Sequence, residues 1–142
     1  SLDFDEGLSI KDFLENAKDL GLEPTFIYET FSSTSDFNRF RAIWKLKEVI
    51  EYPQLKTALQ LMLMEVFSDC DSACKDLSRL WIGGKSVAFY NPMNALNIEN
   101  LLNALSNIIE IKHGKNSLRG MKTFCKIAGL NMFNKMPFIF KK

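Results

Sequence analysis

The hydrophobic period of this sequence switches repeatedly between that of a strand and that of a helix, and the order of the switches leaves few folds open. Leu2-Asp3-Phe4-Asp5 alternates apolar and acidic residues, as a short strand does. Gly7 breaks it. Ser9 can cap a helix whose apolar positions Ile10, Phe13, Leu14, Ala17 and Leu20 share one face. Gly21 ends that helix and Pro24 prevents its resumption. Thr25 to Phe31, rich in aromatic and β-branched residues, reads as a second strand. Ser32 to Asn38 is a turn of small polar residues, and Arg39 to Leu46 alternates as a third strand. Pro53 suits the first turn of a second helix with Leu55, Leu59, Met62, Leu63 and Val66 inside. After a polar stretch from Asp69 to Arg79, Leu80 to Ile82 and Ser86 to Tyr90 are strand candidates on either side of Gly83-Gly84. Asn97 can cap a third helix that buries Leu101, Leu102, Leu105, Ile108 and Ile109, and a short basic helix is expected from Ser117 to Ile127.

The order is β-α-β-β-α-β followed by helices, which predicts an α+β fold of ferredoxin-like or RRM-like type. Its first and third strands should lie side by side in the centre of one antiparallel sheet. Helices cover one sheet face, the other is left for a site, and the chain closes on a C-terminal helical extension. Residues 1–111 form the domain with its following helix, and residues 112–142 are a basic extension of it, too short for a core of their own.

At 46% hydrophobic and 25% charged residues, the chain has the composition of a globular protein rather than a disordered one. No apolar run approaches the roughly 18 residues of a membrane span. Asp3, Asp5 and Glu6 stand where a signal peptide would be basic. Three cysteines, Cys70, Cys74 and Cys125, form no CxxC pair and argue against a disulfide scaffold or zinc module, so we expect reduced thiols inside a cell. The single histidine, His113, argues against His-based metal motifs and triads. The net charge of +1 conceals an asymmetry: residues 112–142 carry 8 basic residues and no acid, while the first 111 hold the other 10 basic residues against all 17 acidic ones. Such a tail either binds phosphates by counterion release or is a solvated face balancing an acidic body. We expect it to pack as a helical appendage with its basic face toward a template path.

Three segments carry candidate chemistry. Asp3 and Asp5, two apart on a strand, project together, and such a carboxylate pair can hold Mg²⁺ or Mn²⁺ or simply face solvent. The Ser32-Ser33-Thr34 turn followed by Arg39 and Arg41 offers hydroxyls, amides and bidentate guanidinium donors to phosphate oxygens. Asp71-Ser72-Ala73-Cys74-Lys75-Asp76-Leu77-Ser78-Arg79, just before Gly83-Gly84-Lys85, can supply a third carboxylate and further phosphate-facing bases. The strand aromatics Phe26, Tyr28, Phe31, Phe40, Trp44 and Trp81 either stack bases on the sheet or fill the core, and most should fill the core.

Taken in order, Leu2-Asp3-Phe4-Asp5, Tyr28-Glu29-Thr30-Phe31-Ser32-Ser33-Thr34, Arg39-Phe40-Arg41 and the Asp71 to Arg79 segment resemble the archaeo-eukaryotic primase superfamily. The likeness is to primase-polymerase domains of plasmids, phages and integrated elements, and covers about residues 1–85. It implies an RRM-like catalytic sheet and a nucleotidyltransferase that joins nucleoside triphosphates on a single-stranded DNA template with Mg²⁺ or Mn²⁺. It also implies a replicative helicase as possible partner, no membrane, and the cytoplasm of a bacterial host. Carried over, Asp3, Asp5 and Asp71 are the metal-binding and catalytic aspartates, with Asp76 as the alternative to Asp71. Ser32, Ser33, Thr34, Arg39, Arg41, Arg79 and Lys85 hold phosphates. Related sequences often place a histidine within the SST turn, where this chain has serine or threonine. The competing reading is a non-catalytic RRM-like module that binds nucleic acid or a replication partner.

Overall fold

The computed structural model describes residues 1–78 and 80–114. Arg79, the expected helix from Ser117 to Ile127 and the basic tail beyond Gly114 lie outside the described residues. Within them the chain runs β1 (Leu2–Phe4), α1 (Ile10–Asp19), β2 (Phe26–Glu29), β3 (Phe40–Ile43), α2 (Pro53–Val66), a 3₁₀ turn (Ser72–Lys75), β4 (Ser86–Tyr90) and α3 (Ile98–His113). Local signals place the helix ends. The Ser9 hydroxyl accepts the Asp12 amide at 3.4 Å to start α1, Pro53 sits in the first turn of α2, and the Asn97 side chain accepts the Asn100 amide to start α3. Gly21, at φ +63°, reverses the chain after α1 in a conformation that glycine adopts without a Cβ clash. Its carbonyl accepts from Asn100 Nδ2 at 3.0 Å, which fastens the end of α1 to the start of α3.

All four strands form one antiparallel sheet in the order β1-β3-β2-β4. The α+β antiparallel architecture is as the element order predicts, and β1 lies beside β3. The expected central position of β1 is corrected: β1 is an edge strand, and β4 closes the other edge against β2. The stretch Leu80 to Ile82 is not a strand either, because the Ile82 carbonyl is engaged by side chains rather than by a neighbouring backbone.

Period two separates the faces. Leu2, Phe4, Phe40, Ala42 and Ile27 are buried toward the helices. There Phe4 stacks on Phe40 with centroids 4.8 Å apart, and Phe13 of α1 packs on Phe4 at 4.8 Å and on Phe67 at 5.3 Å. Leu59 and Leu63 of α2 and Leu101 and Ala104 of α3 complete the core. Trp44 joins it and donates its indole N–H to the Leu22 carbonyl at 2.7 Å, satisfying the one polar atom it would otherwise bury. The other face carries Asp3, Arg41, Tyr28 and Phe26, brought level by the pairings Asp3↔Arg41, Tyr28↔Arg41 and Phe26↔Tyr90.

Candidate functional site on the outer sheet face

Asp3 and Arg41 sit opposite each other on β1 and β3 and are both buried, at 2% and 7% exposure. Arg41 Nε donates to one carboxylate oxygen of Asp3 and Nη2 to the other, each at 2.7 Å, the two-pronged geometry in which arginine and carboxylate fit best. Nη1 donates to the Tyr28 hydroxyl and, at 3.0 Å, to the Ile82 carbonyl. The Tyr28 hydroxyl itself donates to that same carbonyl at 3.0 Å. The Trp81 ring lies over the guanidinium, 4.1 Å from Cζ to centroid, and Tyr28 flanks it at 5.3 Å. Burial works against the charge of Arg41, but the hydrogen bonds and charge of Asp3, with help from Tyr28, outweigh it and raise the guanidinium's pKa. The segment from Trp81 to Gly84 is thus strapped across the sheet. A Cβ on Gly84 would overlap the Glu29 carbonyl oxygen and the Tyr28 ring, so only glycine lets the strap lie this close.

The third motif is adjacent. The Asp71 amide donates to the Asp3 carbonyl at 2.8 Å, and the Asp3 amide donates to Cys74 Sγ at 3.2 Å. Backbone contacts therefore join the segments that carry Asp3 and Asp71, far apart in sequence. The carboxylates are engaged by protein partners. Both Asp3 oxygens face Arg41, the Asp71 carboxylate accepts the Ala73 amide at 2.9 Å, and Asp76 accepts the Ser78 amide and hydroxyl. Among the described residues no three His, Cys, Asp or Glu side chains are grouped to hold a metal ion. Asp5 is half-buried beyond the end of β1.

The expected phosphate turn is a second cluster. Ser33 is buried: its hydroxyl donates to Glu29 Oε1 and accepts the Arg39 amide, each at 3.1 Å. Lys85 Nζ donates to the Ser33 carbonyl at 2.5 Å, and the Ser86 hydroxyl donates to the second Glu29 oxygen. The Ser86 and Ser33 hydrogen bonds and the Lys85 charge hold the Glu29 carboxyl below its usual range. Ser33 thus pins the turn from inside. Ser32 and Thr34 are exposed, and Arg39 lies over Phe37, 5.3 Å from Cζ to centroid. Arg39 Nε is buried without a hydrogen-bond partner among the described residues.

Sequence reasoning placed Asp3 and Arg41 on neighbouring strands but missed what holds them. Of the six aromatics expected on strands, Phe40 and Trp44 are buried rather than most of them, while Phe31 is 69% exposed. Phe26 lies beside Tyr28 at 5.7 Å and edge-on to Tyr90 at 6.0 Å, forming an aromatic row on the outer face that Tyr90, 64% exposed, ends. The period-two spacing of Phe26 and Tyr28 carried that signal, but the contribution of Tyr90 depends on β4 pairing with β2. No helix among the described residues is long and apolar enough to cross a membrane. No family model, curated protein or solved structure matches this chain.

Proposed function

We propose that this chain is a primase-type module that binds single-stranded nucleic acid on the outer face of its sheet. The observation that carries the reading is the row Phe26–Tyr28–Tyr90, large rings on a face turned away from the helices. Bases stack on such rings irrespective of sequence. Arg39, Lys85 and the exposed hydroxyls of Ser32 and Thr34, at one end of β2 and β3, are the groups available to phosphates. Fluorescence anisotropy with a labelled single-stranded DNA oligonucleotide tests the reading. Binding that Phe26→Ala and Tyr90→Ala each weaken supports it, and equal affinity in both variants overturns it.

The finer reading is a DNA primase-polymerase of a mobile-element replication system, joining nucleoside triphosphates on that template beside a replicative helicase. It is favoured by the Asp71 amide on the Asp3 carbonyl, which sets the third motif against the strand of the first pair. Asp3, Asp5 and Asp71 would carry the chemistry, and Arg41 would first have to release Asp3. Primer synthesis with Mg²⁺ or Mn²⁺ that is lost in Asp5→Asn supports this reading. DNA binding with no product under either ion leaves the non-catalytic module.

A further inference from the structure

The aromatic row on the outer face ends under the strap. Tyr90, Phe26 and Tyr28 follow one another at 6.0 and 5.7 Å, and the flat group beyond Tyr28 is the Arg41 guanidinium, 5.3 Å from the Tyr28 ring centroid. A guanidinium plane is itself a surface on which bases stack. Here that surface carries the indole of Trp81, 4.1 Å from Cζ to ring centroid. An indole is a flat bicyclic heteroaromatic, close to a purine in shape. The strap that holds it there has a small footing. The Ile82 carbonyl accepts from Arg41 Nη1 and from the Tyr28 hydroxyl, each at 3.0 Å, so both hydrogen bonds end on one atom. The side chains on either side of Trp81, Leu80 and Ile82, are exposed. Gly83 has open space around it, with nothing within 4 Å of where a Cβ would stand. Beyond it the Lys85 amide is back on the sheet, donating to the Glu29 carbonyl at 3.0 Å. Trp81 and Ile82 can therefore swing away at Gly83 while β4 stays paired.

We infer that the Arg41 guanidinium is a further base-stacking position of the sheet, occupied by Trp81 in the free protein and taken over by a base when single-stranded nucleic acid binds. The inference deepens the reading of the outer face as a single-strand site and rests on it. A strand lying along Tyr90, Phe26 and Tyr28 brings its next base to Arg41, where base and indole compete for one face of one cation. Lifting the strap gives up the ring–cation contact and the two hydrogen bonds to Ile82, and water or the nucleotide takes over the donors of Arg41 and Tyr28. The move does not require Arg41 to leave Asp3, whose two hydrogen bonds keep the guanidinium in place while its cover changes. Only molecules with the strap lifted present the full row, so the strap lowers the apparent affinity for a single strand by that fraction.

The test uses the full chain and labelled oligothymidine, read by fluorescence anisotropy. Trp81→Ala removes the competitor and should bind roughly three- to tenfold more tightly than the parent. Trp81→Phe, whose ring holds a cation less well than an indole does, should fall between the two. In the parent, saturating unlabelled oligothymidine should shift tryptophan emission to the red as Trp81 is released to water, while Trp44 stays buried. That shift should be missing in Trp81→Phe. If Trp81→Ala does not fold, Trp81→Phe and the parent emission decide. Equal or weaker binding by the folded variants, or a parent emission that stays in place at saturation, overturns the inference and leaves the single-strand reading standing. Absence of binding in the parent and both variants overturns that reading and the inference with it.

Discussion

Arg41 grips Asp3 through two parallel hydrogen bonds of 2.7 Å with almost no water around either group. Removing one partner of such a pair strands the other charge. Arg41→Ala should therefore destabilise the fold by about 3–5 kcal/mol, measured by urea unfolding. The Asp3→Ala, Arg41→Ala double variant should lose less than the sum of the single losses, since neither charge is then left alone. A cost for Arg41→Ala no larger than that of an exposed ion pair would show that water reaches the carboxylate.

Gly84 should tolerate no side chain. Gly84→Ala puts a methyl group into the Glu29 carbonyl and the Tyr28 ring, so the strap must lift. We expect a loss of about 1–3 kcal/mol. A red shift in tryptophan emission should accompany it as Trp81 leaves Arg41 while Trp44 stays in the core. An unchanged spectrum would mean that the strap is held independently of its closest contact.

The outer aromatics should matter for binding and little for stability. Tyr90→Ala should cost roughly 1–3 kcal/mol in affinity for single-stranded DNA if a base stacks there. Phe13→Ala, by contrast, opens the core and should cost about 3–5 kcal/mol of stability. Tyr90→Ala with unchanged DNA affinity and an intact fold would remove that ring from the binding face.

Glu29 gives a pH dependence with a defined sign. Its folded pKa lies below the unfolded value, so its contribution is complete above the unfolded pKa, near the ordinary 4.5, and disappears as pH falls through the lower folded value. Glu29→Gln should thus be less stable than the parent at neutral pH, by a modest amount because the carboxyl is partly solvated. The difference should shrink on acidification below that range. A gap that persists undiminished into strong acid would assign the effect to shape rather than charge.

What could be read from the sequence divides by distance along the chain. The ends of α1, α2 and α3 follow from Ser9, Pro53 and Asn97, whose effects reach three or four residues. The placing of β1 beside β3 followed from the order of elements. The edge that β4 occupies did not, because the strand would satisfy its hydrogen bonds beside β1 as well as beside β2. Leu80 to Ile82 resembles a strand in composition, yet the Arg41 and Tyr28 side chains capture the Ile82 carbonyl, and alternation is blind to side-chain acceptors. The order of motifs suggested the aspartates as a set, but the Asp3–Arg41 pairing required the register of β1 on β3.

The contacts of Asp3 also set a timetable. Its carboxylate waits for Arg41, 38 residues later, and its amide for Cys74, 71 residues later. During synthesis β1 emerges first and has no partner until β3 and then the 3₁₀ turn follow it. Until β3 has been made β1 is a bare strand, and acidic Asp3 and Asp5 interrupt the apolar residues there and discourage association with other nascent chains. Among the described elements α3 emerges last, so the helical layer is completed only after every partner of Asp3 has been made.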